Sequence, residues 1–155
     1  MGDYIRNTRE CTPDSMHPGL LAAIRAYIHN HIPGDGDILQ TALICCETVS
    51  TRQKKGLFAG KAEVILTAVV LTPRWLIWAA EKENKSLGVL GARLDSIQVQ
   101  DYEKSDLYKL VADSGLSIDG LQTDTTDPGS AFIGLGSEPA ALKFRAMLKE
   151  TVAKA

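Results

Sequence analysis

One amphipathic segment at the end of the chain constrains the fold more than any other feature. Gly136-Ser137-Glu138-Pro139 supplies a Ser cap, an acid in the first turn and a Pro where its missing N–H costs little. Beyond it, Ala141, Phe144, Leu148 and Val152 recur at helical spacing as one apolar stripe. Met147 lies at the edge of that stripe, and Lys143, Arg145, Lys149 and Glu150 are expected to face water. A helix this amphipathic must lie on something apolar, and the open end of a sheet is the candidate.

The residues ahead of it have the texture of strands. Ile38 to Val49 is rich in β-branched and apolar residues, and Glu63 to Leu71 and Trp75 to Ala80 follow, joined by Thr72-Pro73-Arg74. A charged turn, residues 81–85, leads to Ser86 to Leu90, and then to Ser96 to Tyr102, where Ile97 and Val99 alternate with Gln98 and Gln100. Tyr108 to Ala112 reads as one more short strand, and Ser117 to Leu121 and Ala131 to Leu135 complete the set. Between the last two, Asp124, Asp127, Pro128 and Gly129 make a turn by composition. Seven or so short strands at near-regular intervals, closed by one helix, predict a mainly β fold. The expected form is a strongly bent, antiparallel, seven-stranded and partly open barrel or sandwich.

Residues 1 to about 17 are polar and without a period, and are read as an arm. After Pro18, Leu20, Leu21, Ile24, Tyr27 and Ile28 form an apolar stripe on an extra N-terminal helix, which Pro33-Gly34-Asp35-Gly36 stops. The organisation expected is an arm and helix over 1–36 and a β domain over 37–155. At 155 residues this is the length of one domain with a real core.

Three local features resemble pleckstrin-homology-like and GRAM-like domains of the bacterial type. Val69-Val70-Leu71-Thr72-Pro73-Arg74-Trp75-Leu76-Ile77 looks like their "LT-x-R-hydrophobic" strand pair. Leu94-Asp95-Ser96-Ile97-Gln98-Val99 is similar to the strand that follows it there, and Phe132-Ile133-Gly134-Leu135-Gly136, with Ala141 and Phe144, resembles the last strand and helix. The likeness covers about residues 37–155. It implies a non-enzymatic module that binds lipid headgroups, peptides or other proteins. Phosphoinositide-binding members carry paired basic residues on the second strand. Here that strand, Glu63 to Leu71, carries an acid and no paired Arg, so what is carried over stops at a basic loop.

That loop, 51–61, is the candidate lipid- or partner-binding segment. Arg52, Lys54, Lys55 and Lys61 flank Leu57 and Phe58, and an apolar tip ringed by cations suits an anionic membrane interface, each Lys adding on the order of 1 kcal/mol. The competing reading folds Phe58 onto the sheet and leaves the cations as a solvated rim. The net charge of −2 provides no global field toward nucleic acid.

Catalytic and metal sites are not expected. His29 and His31 diverge on a helix, and no acid completes a ligand set with them or with His17. Asp124 and Asp127 lack the spacing of a calcium loop. No His follows residue 31, so Cys45 has no later base, and Gly134-Leu135-Gly136 lacks the third glycine of a dinucleotide fingerprint. Cys45 and Cys46 are adjacent and point to opposite faces of a strand, one expected in the core and one outside, both reduced as in the cytosol. Trp75 and Trp78, three apart, likewise face opposite sides. With no secretory signal and no span of about 20 apolar residues, a cytoplasmic location is expected. The leading functional expectation is a module that binds a protein or peptide through a sheet edge or beside the last helix, without a cofactor. A membrane surface through loop 51–61, a small ligand or reaction inside the barrel, and a homo-oligomer contact through the first helix are the alternatives.

Overall fold

The strand texture folds into two antiparallel sheets in a computed structural model, which describes residues 4–32, 34, 37–52, 62–82, 86–122 and 128–155. The first sheet runs in sequence order through β1 (Tyr4–Cys11), β2 (Ile44–Arg52), β3 (Glu63–Leu71), β4 (Trp75–Lys82) and β5 (Ser86–Arg93). The second comprises β6 (Gln98–Asp101), β7 (Gly115–Leu121) and β8 (Gly129–Gly134). Among the described residues there are two α-helices, α1 (Pro18–His31) between β1 and β2, and α2 (Pro139–Lys154) after β8. The fold is mainly β, as expected, with eight strands among the described residues where seven or so are legible in the sequence.

Period-2 alternation explains why the middle of the first sheet has no wet face. Cys46, Val69, Leu71, Leu76 and Trp78 point toward the second sheet and α2, whose Phe144 and Leu148 are fully buried among them. Cys45, Ala68, Val70, Ile77 and Ala79 point the other way, onto Leu20 and Ile24 of α1. Both faces of β2, β3 and β4 are therefore covered, which is why these strands read as near-continuous apolar runs. It also corrects the expectation that one of Cys45 and Cys46 lies outside, since each is buried in a different core. Trp78 and Trp75 obey the expected opposition, the first in the inter-sheet core and the second half-buried against the α1 cluster.

Residues 4–11, read as an arm, are an edge strand paired to β2 along its whole length, from Tyr4 opposite Arg52 to Cys11 opposite Cys45. Their polarity misleads because this edge is held by polar contacts. Thr8 Oγ1 lies 2.8 Å from Thr48 Oγ1 and accepts from the Gly136 N–H at 2.9 Å, while Arg6 donates to both oxygens of Asp113 at 2.9 and 2.8 Å and to Ser50 at 2.6 Å. The strand expected over 38–49 begins only at Ile44. Ahead of it, Ile38–Thr41 is a 3-10 turn, capped by Asp37 accepting from the Leu39 N–H. Nor is 108–112 a strand. Asp106–Lys109 is a 3-10 turn, tied down by the Tyr102 hydroxyl donating to the Val111 carbonyl at 2.6 Å.

Helix α2 forms where expected, with Pro139 in its first turn, but its cap is Glu138 with no side-chain hydrogen bond, not Ser137. Arg145, expected on the wet face, is buried, because the carboxylates of Asp101 and Glu103 meet it there.

Candidate functional site

Of the expected loop site, Arg52 is described, and Lys54, Lys55, Leu57, Phe58 and Lys61 lie outside the described residues. Asp124, Asp127 and residues 83–85 of the charged turn also lie outside them. Arg52 ends β2 and is internally engaged. Its guanidinium pairs with Glu63 at 2.7 Å and sits 5.3 Å from the Tyr4 ring centre. Glu63 also pairs with Lys82 at 3.4 Å and accepts from the Tyr4 hydroxyl at 3.1 Å. Burial alone would raise the Glu63 carboxyl. The hydrogen bonds from Tyr4 and Lys82, with the charges of Arg52 and Lys82, outweigh it and hold the group below its ordinary value. The acid seen in the sequence at the start of the strand Glu63 to Leu71 is the partner that consumes this cation.

A second charged cluster joins α2 to the second sheet. Arg145 donates to Asp101 at 3.0 Å and to Glu103 at 3.2 and 3.0 Å, and Lys149 pairs with Asp101 at 2.7 Å. Burial would raise the Asp101 carboxyl, but the hydrogen bonds and charges of Lys149 and Arg145 hold it below the usual range. These groups pair with one another, while Arg145 Nε is buried without a hydrogen-bond partner among the described residues. Their geometry is that of an internal brace between α2, β6 and the 3-10 turn that follows. Among the described residues, no three His, Cys, Asp or Glu side chains come together to hold a metal ion.

The edge of the first sheet is different. Alternation of the antiparallel ladder can be followed from two bonds at the strand ends, the Leu94 N–H donating to the Arg74 carbonyl at 2.9 Å and the Thr72 N–H to the Trp75 carbonyl at 2.9 Å. With the β4–β5 register, these place the backbone groups of Ser86, Gly88, Leu90 and Ala92 toward β4. Those of Leu87, Val89, Gly91 and Arg93 point outward from the sheet. Sequence chemistry leaves that edge bare. Ser86 to Ala92 contains no charge and no proline, and its pairing to β4 has no bulge, so the three common devices that blunt an edge strand are missing.

Two leucines accompany these backbone groups. Leu87 is 49% exposed on the α1 side of the sheet and Leu90 is 50% exposed on the other. A Cβ added at Gly88 would meet nothing within 4 Å, so the strand is open at that point too. Nearer its end the strand is roofed by α1, where the Tyr27 hydroxyl donates to the Gly91 carbonyl at 3.3 Å and its ring stacks on His31 with centroids 4.5 Å apart. Burial raises the Tyr27 phenol above its ordinary value, against a smaller opposing effect of the Gly91 bond, so it stays a donor at neutral pH. The opposite edge, β1, contrasts with this one. It is covered by the Gly134–Gly136 segment, which approaches Arg6 and Thr8 so closely that a Cβ at Gly136 would stand 2.6 Å from the Arg6 carbonyl oxygen.

The sequence marks residues 86–90 as a strand but carries no sign that it ends the sheet, because strand order is decided by which neighbours pair. The uncharged run Ser86 to Ala92, with its two glycines, suits an edge and a covered strand alike. Among the described residues no helix is long and apolar enough to cross a membrane. Comparison with protein-family models, with curated proteins and with solved structures returned no match.

Proposed function

We propose that this chain is a non-enzymatic interaction module of pleckstrin-homology-like architecture that takes an extended segment of a partner protein onto β5. A sheet followed by a second, smaller sheet and a helix packed on the core between them is the order that the sequence resemblance implies. In this reading the two sheets are the walls of a partly open barrel, α2 fills its mouth, and β1 with α1 is an addition in front. The observation that carries the function is the β5 edge, uncovered among the described residues: outward backbone groups at Leu87 and Val89, no charge to repel a strand, and exposed leucines on both faces. Each main-chain hydrogen bond made by an added strand contributes a net 0.5–1.5 kcal/mol or about that, and pockets for alternate side chains supply choice. The exposed Leu87 and Leu90 favour a partner segment with apolar residues in alternation.

Panning of displayed random peptides against the full chain tests this. Enrichment of uncharged, β-branched or aromatic segments is expected, with slowed amide exchange at Leu87 and Val89 in their presence. Peptides whose binding is indifferent to Leu87→Lys would remove the basis of the reading. Vesicles containing anionic lipid form the competing arm. Binding to them that Lys54→Glu with Lys55→Glu abolishes would replace the peptide reading with the membrane one.

A further inference from the structure

Two of the three cysteines stand directly opposite one another in the first sheet. Cys11 is the last residue of β1 and Cys45 is its partner on β2, both as free thiols. Carrying the ladder alternation across the sheet, the β3 residues Leu71 and Val69 face β2, so the odd-numbered residues of β2 turn their backbone groups to β1. Cys11 and Cys45 thus form a hydrogen-bonded pair, for which Cα atoms stand about 5.5 Å apart. That Cα separation is one disulfides adopt, about 5.5–6 Å. The Cβ atoms of a hydrogen-bonded pair stand about 5.5 Å apart against about 3.8 Å in a disulfide, so closing the bond draws Cys11, the last residue of β1, toward Cys45. Both side chains lie on the α1 face, where Cys45 is part of the buried cluster and Cys11 packs against it half-exposed. Cys46 is on the other face, its Sγ 3.8 Å from the Ala140 carbonyl under α2. It shares a strand with Cys45 and cannot reach it.

We propose that Cys11 and Cys45 are a modification site, a cross-strand dithiol that is oxidised to an intramolecular disulfide by small disulfides of the glutathione class. The Cys11 thiolate, at the exposed end of the pair, attacks one sulfur of the reagent. The reagent S–S bond breaks, and the departing thiolate takes up the proton that Cys11 lost. Cys45 then attacks the Cys11 sulfur, a Cys11–Cys45 bond forms, and the second reagent thiol leaves with the proton from Cys45. Two protein thiols are oxidised by two electrons in all, and one reagent disulfide is reduced to two thiols.

The new bond would close a ring containing all of α1, and so clamp both the edge strand and the helix that roofs β5. Burial pushes the Cys11 thiol up to about 12, with Cys45 and Glu47 adding to it and Arg9 opposing, and burial with Glu10 raises Cys45 to about 11. The exchange is consequently slow at neutral pH and quickens toward alkaline pH. A pair of this kind records prolonged oxidising conditions and ignores brief ones.

The test treats the native full chain with excess oxidised glutathione at mildly alkaline pH, followed by intact mass and a non-reducing peptide map. Loss of two hydrogens, a Cys11–Cys45 linked peptide and a melting temperature higher by about 5–10 °C are expected, all reversed by dithiothreitol. Cys46→Ser should leave all three readouts in place, and Cys11→Ser, which changes a half-exposed residue, should abolish them. A Cys45–Cys46 link, a link between chains, or persistent alkylation of both Cys11 and Cys45 after oxidation would each overturn the proposal. So would a Cys11–Cys45 link that forms in guanidinium but not in the folded chain, since the sheet would then not be what brings the sulfurs together.

Discussion

The Tyr27 hydroxyl of α1 reaches the Gly91 carbonyl of β5 at 3.3 Å, with the aromatic ring lying over the glycine. Helix α1 therefore engages the last strand of the sheet as well as the middle strands beneath it. A Cβ at position 91 would come 2.5 Å from the ring, a distance real side chains do not tolerate. Gly91→Ala is expected to displace Tyr27 and destabilise the chain by about 1–3 kcal/mol in urea unfolding. Tyr27→Phe removes only the hydrogen bond and should cost about 1 kcal/mol or less. Gly88→Ala, in open space three residues away, should change stability by no more than about 0.5 kcal/mol.

Arg145 separates a buried brace from a surface charge. Its side chain is 10% exposed between Asp101 and Glu103, so Arg145→Met sets a hydrophobic stem against Glu103 and takes one partner from Asp101, which keeps Lys149. A loss of about 2–4 kcal/mol is expected, less than for a fully buried pair because Glu103 retains some solvent. Lys143→Met breaks the Lys143–Glu10 pair, which is half in water on both sides, and should cost about 0–1 kcal/mol. Equal losses for the two variants would show that Arg145 is no brace.

Acid stability follows from two of the three depressed carboxylates among the described residues, since the third, Glu150, is an exposed partner of Lys154. Asp101 and Glu63 both titrate lower in the folded chain than in the unfolded one. The unfolded state therefore takes up protons first as pH falls. The stabilisation is fully present above the ordinary carboxylate range, about 3.9–4.3, and is lost as pH drops through it toward the lower folded values. Melting temperature should be flat from neutrality to about pH 5 and then decline. Lys149→Met should blunt the decline by removing one cause of the Asp101 shift, and an unchanged profile in that variant would exclude Asp101 from the acid limb.

Leu87→Lys tests the edge without touching the core. Its side chain is exposed and its backbone groups point out of the sheet, so the isolated chain should keep its stability to within about 0.5 kcal/mol. Binding of an extended peptide, or self-association at high concentration measured by sedimentation, should fall sharply, because a Lys on an edge strand disfavours a further strand. A variant that binds as the parent does would move the contact elsewhere on the molecule.

Much of this architecture is legible in the sequence for simple reasons. The α2 stripe of Ala141, Phe144 and Leu148 and the α1 stripe of Leu20 and Ile24 stand out because each helix has one wet face. Strands β3 and β4 stand out because both their faces are covered. What is hidden is whatever depends on a distant partner. Strand β1 looks like a tail because Thr8 and Arg6 find Gly136 and Asp113 only in the folded chain. Arg145 looks like a surface residue because Asp101 and Glu103 are far from it in sequence. The β5 edge is invisible for the same reason, since the absence of a further neighbour is a property of the sheet and not of residues 86–93.

The bond between Gly136 and Thr8 has a consequence for how the molecule comes into being. Strand β1 has a side-chain acceptor occupied by an amide 128 residues further on, in the approach to α2. Contacts of such long sequence separation are slow to form, because closing the intervening loop is entropically costly. A fragment that stops short of residue 136 could form every strand pairing of the first sheet and would still leave Thr8 without this bond and the β1 edge uncovered.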